Sequence, residues 1–234
     1  MDRTYDRILQ TMDEARHLPA TRRGFLGGTT KLAAGSAIAL AALAVPALRG
    51  FTSVSAQDFT NDVDVLNYAL TLEHLEATFY REGQREFTAG DFSEAGFDAP
   101  AYEYFDLIGD HEQAHVDTLI SVIQSLGGTP VSQAMYDFGY DDVAGYVAVA
   151  QVLENVGTGA YTGAANSIQN ADLLTAALTI HGVEARHAAY LNLINGDVPF
   201  PEAFETPLSR DEVLAAAGPL IVSEMPATGT GSSR

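Results

Sequence analysis

Two stretches of the chain, HEQAHVDTL and HGVEARHAAY, each set a glutamate three residues before a histidine: Glu112 with His115, and Glu184 with His187. On a helix of 3.6 residues per turn, residues three apart project from one face, so each pair can reach a single bound ion. Each pair lies halfway along an apolar helical pattern of roughly 26 residues, where a carboxylate normally belongs on the wet side. A lone Glu-x-x-His is a cheap coincidence, and a third copy, Glu14 with His17, stands near the start of the chain. The information is in the conjunction of the two pairs with Glu73 and Glu154, each again near the middle of an apolar helical pattern.

Four ionised glutamates in an apolar core would each cost several kcal/mol if left unpaired, or their pKa values would rise. Two divalent cations supply four positive charges against those four negative ones and make the site tolerable. Carboxylate and imidazole with no soft ligand suit iron or manganese better than copper, and zinc is compatible by affinity.

Four long helices must position these groups. Apolar residues recur at three- and four-residue steps from Asp58 to about Arg85, carrying Glu73. The segment from Phe87 to Pro100 reads as loop, with glycines and a proline as breakers. A second helix runs from about Ala101 to Leu126 and ends at Gly127-Gly128. The connection from Gly127 to Asp141 spans roughly 45 to 50 Å when extended, longer than the ~39 Å of a 26-residue helix. The third long helix, about Asp142 to Ile168, can therefore start at the same end as the second and run parallel to it. Its Gly157, Gly159 and Gly163 predict close packing against a neighbour. Asn170 caps a fourth helix from Ala171 to about Asn195, and the tail holds one short helix near Ser209 to Ala217 before fraying. The expected organisation is a bundle over 57–200 and a tail over 201–234.

An internal repeat relates the helices. A shift of 81 aligns Ala69, Leu72, Glu73 and Tyr80 with Ala150, Leu153, Glu154 and Tyr161. A shift of 72 aligns Ile108, Glu112, His115 and Leu119 with Ile180, Glu184, His187 and Leu191. All four glutamates sit near their helix midpoints, so they meet at one height. Several neighbours have open roles. Glu76 shares the face of Glu73 and could replace it or bind as a shuttle ligand, although the repeat prefers Glu73 because position 157, opposite Glu76, is glycine. His181 could approach the site, whereas His74 and His111 point away and read as surface or second-layer groups. Tyr80 and Tyr161 read as hydrogen-bond donors to the ligands, as redox relays, or as ordinary core tyrosines.

Glu, Glu-x-x-His, Glu and Glu-x-x-His from four helices is the ligand set of ferritin-like di-iron or di-manganese bundles. From about Phe59 to Gly196 the chain resembles the exported ferritin-like domain proteins of bacteria and archaea, a family that also includes plant desiccation-related proteins. LEHLEATFY and LENVGTGAY are the most telling strings. The resemblance implies an all-α ferritin-like four-helix bundle with a long crossover between helices two and three, plus a short C-terminal helix. It implies two divalent metal ions, iron ahead of manganese, held by Glu73, Glu112, His115, Glu154, Glu184 and His187. The activity implied is that of an oxidoreductase acting on O2, peroxide or ferrous ion. The chain lacks the cysteine-ligated iron domain of rubrerythrin, and with it a built-in electron supply. The desiccation-related members imply the alternative, a non-enzymatic secreted stress protein whose metal is a structural staple or a vestige. A homo-oligomer is compatible with the sequence, and nothing in it demonstrates a storage cage.

Composition sets the remaining bounds on the 234 residues. The absence of cysteine excludes disulfides, thiolate metal sites and iron-sulfur clusters. Residues 57–234 hold 27 acids against 5 bases, all arginine, a net charge of −22. Such an acidic, lysine-free surface resembles that of halophile proteins and makes nucleic acid an unsuitable partner. Residues 1–56 read as an export signal: TRRGFLG at Thr21 to Gly27, a small apolar run from Leu32 to Leu48, and Val54-Ser55-Ala56 before the expected cut. The run is short, alanine-rich and broken by Pro46, which is weak for a permanent span. The expected location is therefore extracellular, periplasmic or cell-surface, without a stable membrane span after signal removal.

Overall fold

A computed structural model describes residues 59–224, with side chains described to residue 222. The expected export signal lies outside those residues. The elements in chain order are α1 (Asp62–Glu86), α2 (Ala89–Glu94), α3 (Pro100–Ser125), β1 (Ala134–Tyr136), α4 (Val143–Ala164), a 3-10 turn (Ala165–Ser167), α5 (Ala171–Ile194), α6 (Arg210–Ala217), a second 3-10 turn (Gly218–Leu220) and β2 (Ile221–Glu224). Side chains that satisfy free backbone N–H groups mark the helix starts: Asn61 accepts from Asp64, Asp142 from Gly145, and Asn170 from Asp172 and Leu173. Pro100 opens α3, where a missing N–H costs nothing.

The four long helices form two antiparallel pairs, α1 with α3 and α4 with α5, joined where α1 faces α4. Tyr80 at one end of α1 meets Phe105 near the start of α3, and Val63 at the other end meets Gly128 just beyond it. The crossover runs back along α1. Asn67 donates to Thr129 O at 3.1 Å and accepts from Val131 N at 2.7 Å, and further on Phe138 packs edge-on against Phe79. Tyr146 in the first turn of α4 then stacks on Phe79 with ring centroids 4.6 Å apart. Accordingly α4 starts beside the start of α3 and runs parallel to it, as the length of the connection allows.

Three details depart from the sequence expectation. The stretch from Phe87 to Pro100 contains a helix, because Thr88 and Asp91 make a reciprocal capping box and Phe92 buries itself against Phe105. The crossover and the tail each supply a short strand, and β1 and β2 pair antiparallel, Ala134 opposite Glu224 and Tyr136 opposite Ile221. The third long helix stops at Ala164 and finishes in a 3-10 turn. Close packing on α4 comes from the tail: Leu208 N donates to Gly159 O at 2.9 Å, and a Cβ at Gly159 would lie 2.7 Å from Leu208 Cγ. Val213 and Ala217 of α6 are buried, closing that side. No helix among the described residues is long and apolar enough to cross a membrane.

Candidate metal centre

The crossing of α1, α3, α4 and α5 at mid-height brings Glu73, Glu112, Glu154 and Glu184 together with no exposed surface. His115 is 9% exposed and His187 6%. Two groups of four emerge, each with ligand atoms within 4.8 Å of one another: Glu73, Glu112, His115 and Glu184, and Glu112, Glu154, Glu184 and His187. Glu112 and Glu184 belong to both. His115 Nδ1 lies 3.2 Å from Glu73 Oε2, 3.0 Å from Glu112 Oε2 and 3.2 Å from Glu184 Oε1. His187 Nδ1 lies 3.0 Å from Glu112 Oε1 and 3.2 Å from Glu154 Oε2. Each histidine and its private glutamate thus make one corner of the centre, and the shared pair joins the corners.

The sequence repeat reappears as reciprocal hydrogen bonds. Tyr80 of the first half donates to Glu154 Oε1 of the second at 2.6 Å, and Tyr161 of the second donates to Glu73 Oε1 of the first at 2.5 Å. Each phenol holds the glutamate that belongs to one corner alone, leaving its other oxygen free to face the histidine. Among the readings open to the two tyrosines, the hydrogen-bond donor is the one the geometry supports.

The remaining neighbours separate. His111 Nδ1 lies 2.9 Å from His187 Nε2, with the two rings stacked, so His111 braces the ring from behind. His181 turns to Thr162 Oγ1 at 2.9 Å and does not join the centre. His74 is buried rather than on the surface and takes Val131 O at 3.2 Å, anchoring the crossover. Glu76 falls in neither group of four, but it is buried beside them. A Cβ at Gly157 would lie 2.8 Å from Glu76 Oε1 and 3.2 Å from Glu184 Oε2. Glycine at 157 therefore makes room for a fifth carboxylate.

Five buried carboxylates and two imidazoles share protons when no cation is bound. Burial pushes the Glu73 carboxyl up to about 8 despite the nearby His115, and burial together with the other carboxylates drives Glu184 and Glu76 well above the usual range. Burial alone would lift Glu112 as well, but the two imidazoles beside it outweigh that effect and hold it at about 2. For His115, desolvation is overcome by Glu112, Glu184 and Glu73, which raise it to about 12; Glu112 and Glu154 raise His187 to about 9. In the cation-free protein the imidazolium groups supply the positive charge.

These residues fit a pair of divalent ions. Glu184 Oε2 is buried without a hydrogen-bond partner among the described residues, while Glu112 Oε1 and Glu184 Oε1 face the imidazole nitrogens of His187 and His115 at 3.0 and 3.2 Å, and all three oxygens belong to the two carboxylates common to both groups. The nitrogen-to-oxygen spacings of 3.0–3.2 Å are those of adjacent ligands around an ion with bonds of about 2.1 Å. Oxygen and imidazole donors without thiolate agree with iron, manganese or zinc, and the donor set does not choose among them.

Four long helices, a crossover between the second and third, and carboxylate and histidine ligands at mid-height define the class of carboxylate-lined helical bundles. A family model described as the ferritin-like domain matches residues 61–197, more than half of the chain, and the chain belongs to that family. It is also similar to Protein rds1 of Schizosaccharomyces pombe (strain 972 / ATCC 24843), with 29% identity over 164 residues, 69% of this chain and 39% of rds1. The chain therefore spans well under half the length of that relative.

Proposed function

We propose that the protein is an exported dinuclear metal carboxylate protein, with iron ahead of manganese, that acts as an oxidoreductase on O2, peroxide or ferrous ion. The observation that carries the reading is the pair of overlapping ligand groups sharing Glu112 and Glu184. Glu73, Glu112, His115, Glu154, Glu184 and His187 would hold the two redox-active ions, which would supply the electrons for reducing an oxygen species. The chain's own residues fix the ligands and manage protons. Tyr80 and Tyr161 orient Glu154 and Glu73, His111 sets the ring plane of His187, and the aromatic cluster around Phe79, Phe105 and Tyr146 keeps water from one end. Glu76, whose carboxyl burial and the carboxylates beside it push well above the usual range in the cation-free protein, sets a fifth carboxyl against the centre.

The ferritin-like family supports iron or manganese, with which the oxygen and imidazole donors are compatible, and TRRGFLG followed by a small apolar run supports twin-arginine export. Elemental analysis of protein purified from its own host, followed by O2 and peroxide consumption with added ferrous ion, tests the function. Two ions per chain with turnover is the expected result. Stoichiometric metal without turnover would instead make the centre a structural staple, as in the stress-protein alternative.

A further inference from the structure

Four carboxylates balance two divalent ions, yet five are buried at the centre. Glu76, one helical turn beyond Glu73 on α1, is 3% exposed, and no hydrogen bond or ion pair joins its carboxyl group to another described residue. A carboxyl group withdrawn from water without a partner is costly, so its presence needs a reason. The charges that act on it most strongly are those of Glu184, Glu154, Glu73 and Glu112, which places it against the ligand groups. Neither Glu76 nor Gly157 lines the apolar cavity that the four long helices leave beside His115 and Tyr161.

Glu184 supplies a second, independent observation. Its Oε1 faces His115 at 3.2 Å, but its Oε2 is buried without a partner among the described residues. That oxygen and Glu76 Oε1 approach the same point, the place a Cβ at residue 157 would take, to 3.2 and 2.8 Å. An alanine at 157 would collide with Glu76 Oε1, so glycine there is what lets the two oxygens converge.

Charge decides what the fifth carboxylate is for. Glu73, Glu112, Glu154 and Glu184 already cancel two divalent ions, and surplus negative charge in a buried site is expensive. Once either ion carries a third positive charge, the same carboxylate becomes favourable. A staple of zinc, which has no redox chemistry, would gain nothing from it.

We propose that Glu76 is a further ligand of the ion pair, engaged when either ion is oxidised beyond the divalent state and not engaged by a purely divalent pair. The inference deepens the function proposed above and rests on it, because it assigns the centre to metals that change valence. On oxidation Glu76 forms the new bond through its carboxylate and releases any proton it carries to solvent. The electron goes to the O2 or peroxide of that reaction.

The test compares the full chain with its Glu76→Gln variant by two readouts: zinc loading under competition with a chelator, and the midpoint potential of the iron-loaded protein by mediated redox titration. Zinc should load at about two ions per chain in both proteins, with equal affinity, since zinc stays divalent. The iron potential should rise in the variant, by a roughly ten- to hundredfold shift toward the ferrous form, or about 60–120 mV. Glu76→Leu, which removes the carboxyl without leaving a buried amide, should give the same two results and keeps the comparison where Glu76→Gln fails to fold. An unchanged potential overturns the inference. So does zinc affinity that falls together with the ferric preference, which would make Glu76 an ordinary ligand of the divalent pair. Two ions per chain with an unchanged potential removes the role of Glu76 alone, whereas a wild-type chain that does not load two ions removes the function proposed above as well.

Discussion

The two corners of the centre share the same inner parts and differ behind them. Glu73, His115 and Tyr161 repeat Glu154, His187 and Tyr80, down to reciprocal phenol bonds of 2.5 and 2.6 Å. Behind His187 stands His111, bound to its Nε2 at 2.9 Å. The residue that the repeat places opposite His111 is Val183, and it lines the apolar cavity that reaches His115. Glu76 and its counterpart Gly157 break the symmetry a second time, one supplying a carboxylate and the other the space for it. The duplication keeps what could touch an ion, whereas divergence one layer out braces one corner and opens the other.

The largest expected effect follows from the sharing. Glu112→Ala or Glu184→Ala should take the protein from about two ions per chain to nearly none, because each serves both groups. Glu73→Ala or Glu154→Ala should leave about one ion, at the corner whose own glutamate remains. Elemental analysis of the four variants checks both statements, and equal losses across all four would break the division into shared and private ligands.

The bracing histidine gives the next largest effect. His111→Ala should weaken loading of the His187 corner about ten- to hundredfold, while Val183→Ala leaves the His115 corner unchanged, measured by competition with a chelator. Loading should also depend on pH in one direction. In the cation-free protein His115 and His187 are raised to about 12 and 9 and Glu73 to about 8, so these groups carry protons at neutral pH. A metal must displace those protons, and affinity should rise about tenfold per pH unit for each proton released between pH 6 and 8. Titration in buffers of different ionisation enthalpy measures the release; proton uptake would contradict the assignment. Tyr80→Phe and Tyr161→Phe should have the smallest effects, about 1 kcal/mol each and alike, because the two bonds are equivalent by the repeat.

Much of this was legible in the sequence because the chemistry and the helical period coincide. Four glutamates at the midpoints of four apolar patterns, two of them with a histidine three residues on, pointed inward only in conjunction, and the repeat preferred Glu73 to Glu76 from the glycine at 157 alone. The long crossover was readable from chain length, since about fifteen residues reach along a helix of this size. What lay beyond reach depended on tertiary partners. His74 reads like a surface residue until Val131 is beside it, and His181 approaches Thr162 rather than the centre. The β1–β2 pair joins segments some ninety residues apart, too short to show an alternating pattern. The capping box of α2 was present at Thr88 and Asp91 but hidden among glycines. The cavity leaves no periodic signal, because it arises from small side chains on four helices that fail to meet.

The most direct measurement is anomalous X-ray diffraction from crystals of the iron-loaded protein. Two peaks about 3.5–4 Å apart are expected, one beside His115 and Glu73 and one beside His187 and Glu154, with Glu112 and Glu184 between them. A single peak, or two peaks that do not have Glu112 and Glu184 in common, would contradict a dinuclear centre.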